Sequence, residues 1–317
     1  MSRALVWLLL LLVAPSWSAA EGGRTIRVAE HAGVPPLDPA DLAWTRVPAT
    51  RVALYPQATA PGGPGGAALP VEARALRGAG RLAVRLAWTD AHENSAAPRA
   101  THRFADAVAV QFAPPNKTLP YVGMGEPGQP VQIWFWRAGQ PAQQLAGQGF
   151  GSLARSPGAA PEAHARRTAG GWEVVLRGET GARPGAAIAF AAWDGAEDGR
   201  AGRKRLSAWQ ALDIRGGPSP TALGAEARSS GDPSRGARLY TERGCVACHT
   251  PSVGVGVGVG LGPSLAHAGG IHWPGYLRRA ILEPAAFRVP GYATAMPTLP
   301  LQADEVEDLV AYLMSLH

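Results

Sequence analysis

The chain has two cysteines, and both lie in the run Cys245-Val246-Ala247-Cys248-His249. Two thiols with two residues between them can add to both vinyl groups of one haem. A histidine directly after the second thiol then lies under the iron as proximal ligand. The spacing therefore predicts one covalently attached c-type haem. A disulfide or a zinc pair are the competing readings, and zinc would need ligands that the neighbourhood lacks. Lysine and methionine are nearly as scarce. Lys117 and Lys204 are the only lysines among 30 basic residues, and Met124, Met296 and Met314 are the only methionines beyond the initiator. Met124 stands between glycines in Pro120-Tyr121-Val122-Gly123-Met124-Gly125, ahead of the aromatic run Ile133-Trp134-Phe135-Trp136. Such glycines would let backbone approach a flat ligand closely. Lys204 stands between Arg203 and Arg205. A salt bridge would tolerate arginine there, whereas a buried lysine can lose its proton and offer a lone pair. On residue types alone, a core Met124 and a surface Lys204 are the favoured readings. There is no G-x-S-x-G, H-E-x-x-H or phosphate-binding loop, and no catalytic residue is assigned. His31, His92, His102 and His164 read as surface residues.

The elements that must position these groups fall into blocks. Arg3, the apolar run Ala4 to Val13, Pro15 and Ser18-Ala19-Ala20 form a secretion signal over residues 1–20. The run is short for a membrane span, so cleavage near Glu21 is expected rather than an uncleaved anchor, giving an exported, periplasmic or extracytoplasmic chain without a transmembrane segment. Residues 21–214 read as a β-sandwich. Leu82, Val84, Leu86 and Trp88 alternate with small or polar residues, as do Val108, Val110 and Phe112, and Trp172, Val174 and Leu176, with Gly, Pro and Asn clusters between. Residues 215–231, rich in Gly, Pro, Ser and Ala, read as a linker. Residues 232–317 read as a small all-α domain. Asp232-Pro233-Ser234 opens a helix with Leu239 and Tyr240 on its core face, and Gly244 closes it. Val306, Leu309, Val310 and Leu313 give a last helix, with acids towards its N-terminal half suiting the dipole. The Gly-Val repeat from Gly254 to Gly260 reads as a loop without chemistry. The formal charge is +6, yet six arginines face seven acids from Asp232 onward. With no basic cluster interleaved with aromatics, nucleic-acid binding is not expected.

From Asp232 to His317 the chain resembles a class I cytochrome c. The resemblance rests on the first helix leading into C-x-x-C-H, Gly262-Pro263-Ser264-Leu265 near the haem, and Ala295-Met296-Pro297 before the last helix. It implies His249 and Met296 as axial ligands, with His272 or His267 as alternatives to Met296 and Met314 as helix core. Upstream, Phe104 to Phe112, the Met124 segment, Ala191-Ala192-Trp193-Asp194-Gly195 and Ser207-Ala208-Trp209 resemble the ethylbenzene dehydrogenase-related haem-binding domain. This domain is the γ subunit of periplasmic molybdenum enzymes of the dimethyl sulfoxide reductase family. That resemblance reverses the weighting above. It implies one non-covalent b haem held between Met124 and Lys204. It also implies a non-catalytic subunit relaying electrons between an iron–sulfur subunit beside a molybdenum catalytic subunit and a soluble cytochrome or terminal oxidase. The fused cytochrome gives a layout similar to nitrite oxidoreductase γ-like subunits. Two rivals remain: a carbohydrate- or ligand-binding sandwich fused to a cytochrome without b haem, and a haem oxidase or peroxidase.

Overall fold

The computed structural model describes residues 24–57, 65–95, 104–114, 118–179, 186–214, 221–252, 261–289, 291–292 and 294–317. The expected signal, the Gly-Val repeat, His102, Lys117 and the first residues of the expected linker lie outside them. Thirteen strands follow in chain order: β1 (Thr25–Glu30), β2 (Thr50–Pro56), β3 (Leu69–Gly78), β4 (Arg81–Thr89), β5 (Ala107–Phe112), β6 (Val131–Arg137), β7 (Gln143–Gly147), β8 (Ala154–Arg155), β9 (Glu162–Thr168), β10 (Gly171–Glu179), β11 (Ala187–Trp193), β12 (Arg205–Leu206) and β13 (Gln210–Ile214). Hydrogen bonds link them in the order β8-β7-β6-β5-β11-β12-β2-β3-β4-β10-β9, with β1 between β13 and β3. The ribbon folds over on itself, so strands far apart in that order meet face to face. Trp136 of β6 packs edge-on against Trp172 of β10, ring centres 5.3 Å apart. Alternation with period two supplies the inner faces: Leu82, Val84 and Leu86 from β4, Val108, Val110 and Phe112 from β5, and Val174 and Leu176 from β10 share one core.

Among the described residues, five α-helices follow: α1 (Thr221–Glu226), α2 (Pro233–Glu242), α3 (Ala268–Ile271), α4 (Pro274–Leu282) and α5 (Ala303–Met314). Asp232 caps α2 by accepting from the amides of Ser234 and Arg235, and Pro233 sits where no amide is needed. Gln302 and Glu305 cap α5 reciprocally. Gly244, at φ +78°, ends the chain's run out of α2 in the left-handed conformation and turns it into the Cys245–Ala247 3-10 turn. Apolar stripes of α2, α4 and α5 close the core of the small domain, including Leu239, Tyr240, Leu277, Val306, Leu309 and Leu313. The acids of α5 do more than suit its dipole. Glu305 pairs with Arg243, Glu307 with Arg278 and Asp308 with Arg235, which ties α5 to α2 and α4. Within the segment expected as linker, α1 is helical, with Leu223 packed against the β domain and Glu226 paired with Arg279 of α4. Among the described residues no helix is long and apolar enough to cross a membrane.

Candidate functional site

β5 and β11 are buried on both faces. One face enters the sandwich core; the other is unusual in being mostly alanine. Ala107, Ala109, Ala189 and Ala191, with Ile133 and Leu145, floor a cavity of about 880 Å³ on the outer side of the sheet. That volume falls in the usual range for small-molecule and cofactor sites, about 300–1,000 Å³. Small side chains on these neighbouring strands leave a flat recess, which suits a planar ligand.

Met124 and Lys204 both line this recess. Lys204 precedes β12 and is 4% exposed. Its Nζ lies 5.3 Å from the centre of the Trp193 ring, and no described carboxylate pairs with it. Burial alone lowers its pKa from 10.5 to about 8, because an ammonium without a counter-ion is costly inside protein. Met124 carries a left-handed backbone, φ +87°. In a residue with a side chain this costs on the order of 1–3 kcal/mol, and such strain gathers where function holds it. The glycines beside it serve a different purpose from the one their residue type suggests: neither lines the recess. A Cβ on Gly123 would strike the Tyr121 ring, and Gly125 takes φ +78° against the carbonyl of Gln129. They shape the turn rather than admit a ligand. Arg137, Arg155 and Arg200 stand around the recess, none paired with a described carboxylate, and each can meet an anionic group of a bound ligand.

A second, narrower cavity of about 220 Å³ lies in the small domain, lined by Cys245, Cys248, His249 and Met296 together. Both cysteines are free. His249 Nδ1 lies 2.8 Å from the Pro263 carbonyl. Donating there assigns the proton to Nδ1 and leaves the Nε2 lone pair for a metal. Burial keeps the ring neutral by lowering its pKa. Gly262 is required beside it, since a Cβ would lie 2.8 Å from His249 Cε1. Tyr240 fixes the turn by donating its hydroxyl to the His249 carbonyl at 2.8 Å. Of the alternative ligands, His272 lines this cavity, stacked on Tyr276 at 4.4 Å and lowered to about 3 by burial. His267 does not line it. The residues present therefore fit a covalently held planar group with one histidine and one thioether within reach.

Family models describe the two halves separately, as Ethylbenzene dehydrogenase over residues 41–173 and Cytochrome c over residues 233–317. The γ subunit of chlorate reductase from Ideonella dechloratans is 36% identical over 215 residues, covering 61% of this chain and 88% of that protein. The chain belongs to the ethylbenzene dehydrogenase-related γ-subunit family. The γ subunit of dimethylsulfide dehydrogenase from Rhodovulum sulfidophilum is 29% identical, covering 54% of this chain and 72% of that protein. A family 9 carbohydrate-binding module from Caldicellulosiruptor kristjanssonii aligns with a TM-score of 0.36 and 12% identity, covering 57% of this chain and 84% of that one. Asp106, within the matched segment, is tied to Gly195 by a hydrogen bond. Buried Asp106 accepts from the amides of Asn94 and Gly195 and from Trp172 Nε1, at 2.8, 2.9 and 3.0 Å, and so fastens one rim of the recess. The alanine floor escaped notice in the sequence, although Ala107, Ala109, Ala189 and Ala191 repeat at period two. The cytochrome c match supports a c-type haem in the second cavity.

Proposed function

We propose that this chain is a two-haem electron-transfer subunit of an exported oxidoreductase complex. Met124 and Lys204 would bind the iron of one b haem in the alanine-floored recess. Cys245 and Cys248 would hold one c haem covalently, with His249 and Met296 on its iron. The observation that carries the reading is Lys204: a buried amine with no counter-ion among the described residues, facing the same recess as a strained methionine. A salt bridge would have kept the lysine charged; a metal needs it neutral. Each bound haem would supply a one-electron iron couple. The ligand sets leave neither iron an open position, so bond-making chemistry belongs to a partner chain. Relatives named as γ subunits of chlorate reductase and dimethylsulfide dehydrogenase support a place in a multi-subunit enzyme. We read the partners as a molybdenum catalytic subunit and an iron–sulfur subunit, of nitrite oxidoreductase-like layout, with a soluble cytochrome or terminal oxidase beyond the c haem. The leader-like residues 1–20 support a periplasmic location.

A pyridine haemochrome assay tests the core of this. The full chain is expected to carry one b and one c haem. Lys204→Arg, which keeps the charge but withholds the lone pair, is expected to remove the b haem or its low-spin spectrum and leave the c haem intact. A normal low-spin b haem in that variant would overturn the ligand assignment.

A further inference from the structure

The two cavities share a wall, and the wall is one short segment of chain. Tyr121 lines the cavity of the small domain, while Val122 and Met124, one and three residues later, line the recess of the β domain. The Tyr121 ring is fully buried. On one side it meets Phe150, which lines the recess, edge-on with ring centres 5.9 Å apart. On the other it meets Phe287, His272 and Tyr276, which line the second cavity, at 5.2, 5.7 and 5.8 Å. An unbroken file of aromatic rings thus runs from one cavity to the other through Tyr121.

The segment is also held still. Each carbonyl from Leu119 to Val122 accepts a hydrogen bond: Leu119 from Arg279, Pro120 from Trp209 Nε1, Tyr121 from the Gly125 amide and Val122 from Gln111 Nε2, at 3.0, 2.9, 2.9 and 2.9 Å. The first of these donors comes from the small domain and the others from the β domain, so the wall is clamped by both. Gly123 folds the chain over the ring where any Cβ would collide with it. Backbone and ring are therefore fixed relative to both cavities, and positions held this tightly vary little in distance.

We propose that Tyr121 is the bridge for electron exchange between the two haems, its ring providing the coupling and its clamped backbone the fixed distance. The proposal rests on the two-haem reading above. In each exchange one haem iron passes from Fe(II) to Fe(III) and the other from Fe(III) to Fe(II). One electron moves, and no proton moves and no bond forms or breaks. Tyr121 positions and couples; it is not itself oxidised.

The test uses the full chain, reduced in a laser flash by flavin semiquinone, with redistribution of the electron followed in the separate α bands of the b and c haems. Haem content and midpoint potentials are measured first. Absence of b haem from the wild-type chain would overturn the two-haem reading, independently of any rate. With both haems present, Tyr121→Leu is expected to slow interhaem exchange by about tenfold or more, and Tyr121→Phe to leave it near wild type, both potentials unchanged. An unchanged rate in Tyr121→Leu would overturn the bridge. Should Tyr121→Leu lose either haem, Phe287→Leu decides: slowed exchange supports the aromatic file, and an unchanged rate overturns it.

Discussion

An amine buried without a counter-ion is destabilising whenever it carries its proton. The pKa of Lys204 falls from 10.5 to about 8 on folding, so between those values the unfolded chain holds the proton and the folded chain does not. The unfolded state then binds more protons, and stability rises with pH across that window and is flat below about 8. In the haem-free chain, denaturant unfolding should show this rise, up to about 3 kcal/mol, as a difference between wild type and Lys204→Met. The same proton competes with iron. Affinity of the haem-free chain for b haem should fall below about pH 8, by roughly tenfold per pH unit, and titration of haem into Lys204→Met should lose that dependence. At the other cavity, Gly262→Ala places a methyl against His249 Cε1. Covalent c haem per chain should drop while the b haem stays, which absorbance per polypeptide would show. Chemistry at this scale was half legible. C-x-x-C-H announces itself because five contiguous residues carry the whole attachment. The isolated Lys204 announces only that arginine was avoided, since its burial depends on β11 and β12 meeting.

Elements were legible where local rules govern them. The cap at Asp232, the stop at Gly244 and the period-two strands β4, β5 and β10 follow from propensities within a few residues. How elements approach each other was less so. Gly236 lies where α2 crosses α5, and a Cβ there would collide with the backbone carbonyl of Asp308. Gly236→Ala should destabilise the small domain by about 1–3 kcal/mol through overpacking, despite alanine's better helix propensity. Thermal unfolding followed in the c-haem absorbance reads this, and a stabilised variant would contradict the crossing. In the β domain, Asp106→Ala would leave one buried donor on Trp172 and two part-buried amides, of Asn94 and Gly195, without acceptors. A loss of about 3 kcal/mol or more is expected, together with weaker b-haem retention because the rim of the recess is released.

At the scale of the whole molecule, the two domains are packed together rather than strung on a flexible tether. Arg24 reaches from the β domain to donate to the carbonyls of Gly269 and His272, at 2.7 and 3.1 Å, with its guanidinium 4.6 Å from the Trp273 ring centre. Trp273 Nε1 returns a bond to the Trp209 carbonyl at 2.9 Å. Arg24→Ala removes a donor from two interface carbonyls and the cation from Trp273. Limited proteolysis should then separate the β domain from the cytochrome faster than in wild type, each fragment keeping its haem. Equal cleavage rates would argue that the docking depends on other contacts.

The sequence by itself determined the C-x-x-C-H motif, the alternation that makes strands and the caps that bound helices. Each is written in residues close together in the chain, where stereochemistry and spacing act directly. Only the tertiary structure decided which face of the alternating strands would carry alanines outward into a recess, and that Lys204 would lie beside that recess with no described carboxylate paired to it. It alone decided that the segment read as a linker contains a helix with Leu223 packed on the β domain and Glu226 paired with Arg279. It also decided that Tyr121 stands between two cavities. Those outcomes depend on contacts such as Arg24 with His272, 248 residues apart. No local periodicity records such a pairing, because its free energy arises only when the whole chain has closed around it.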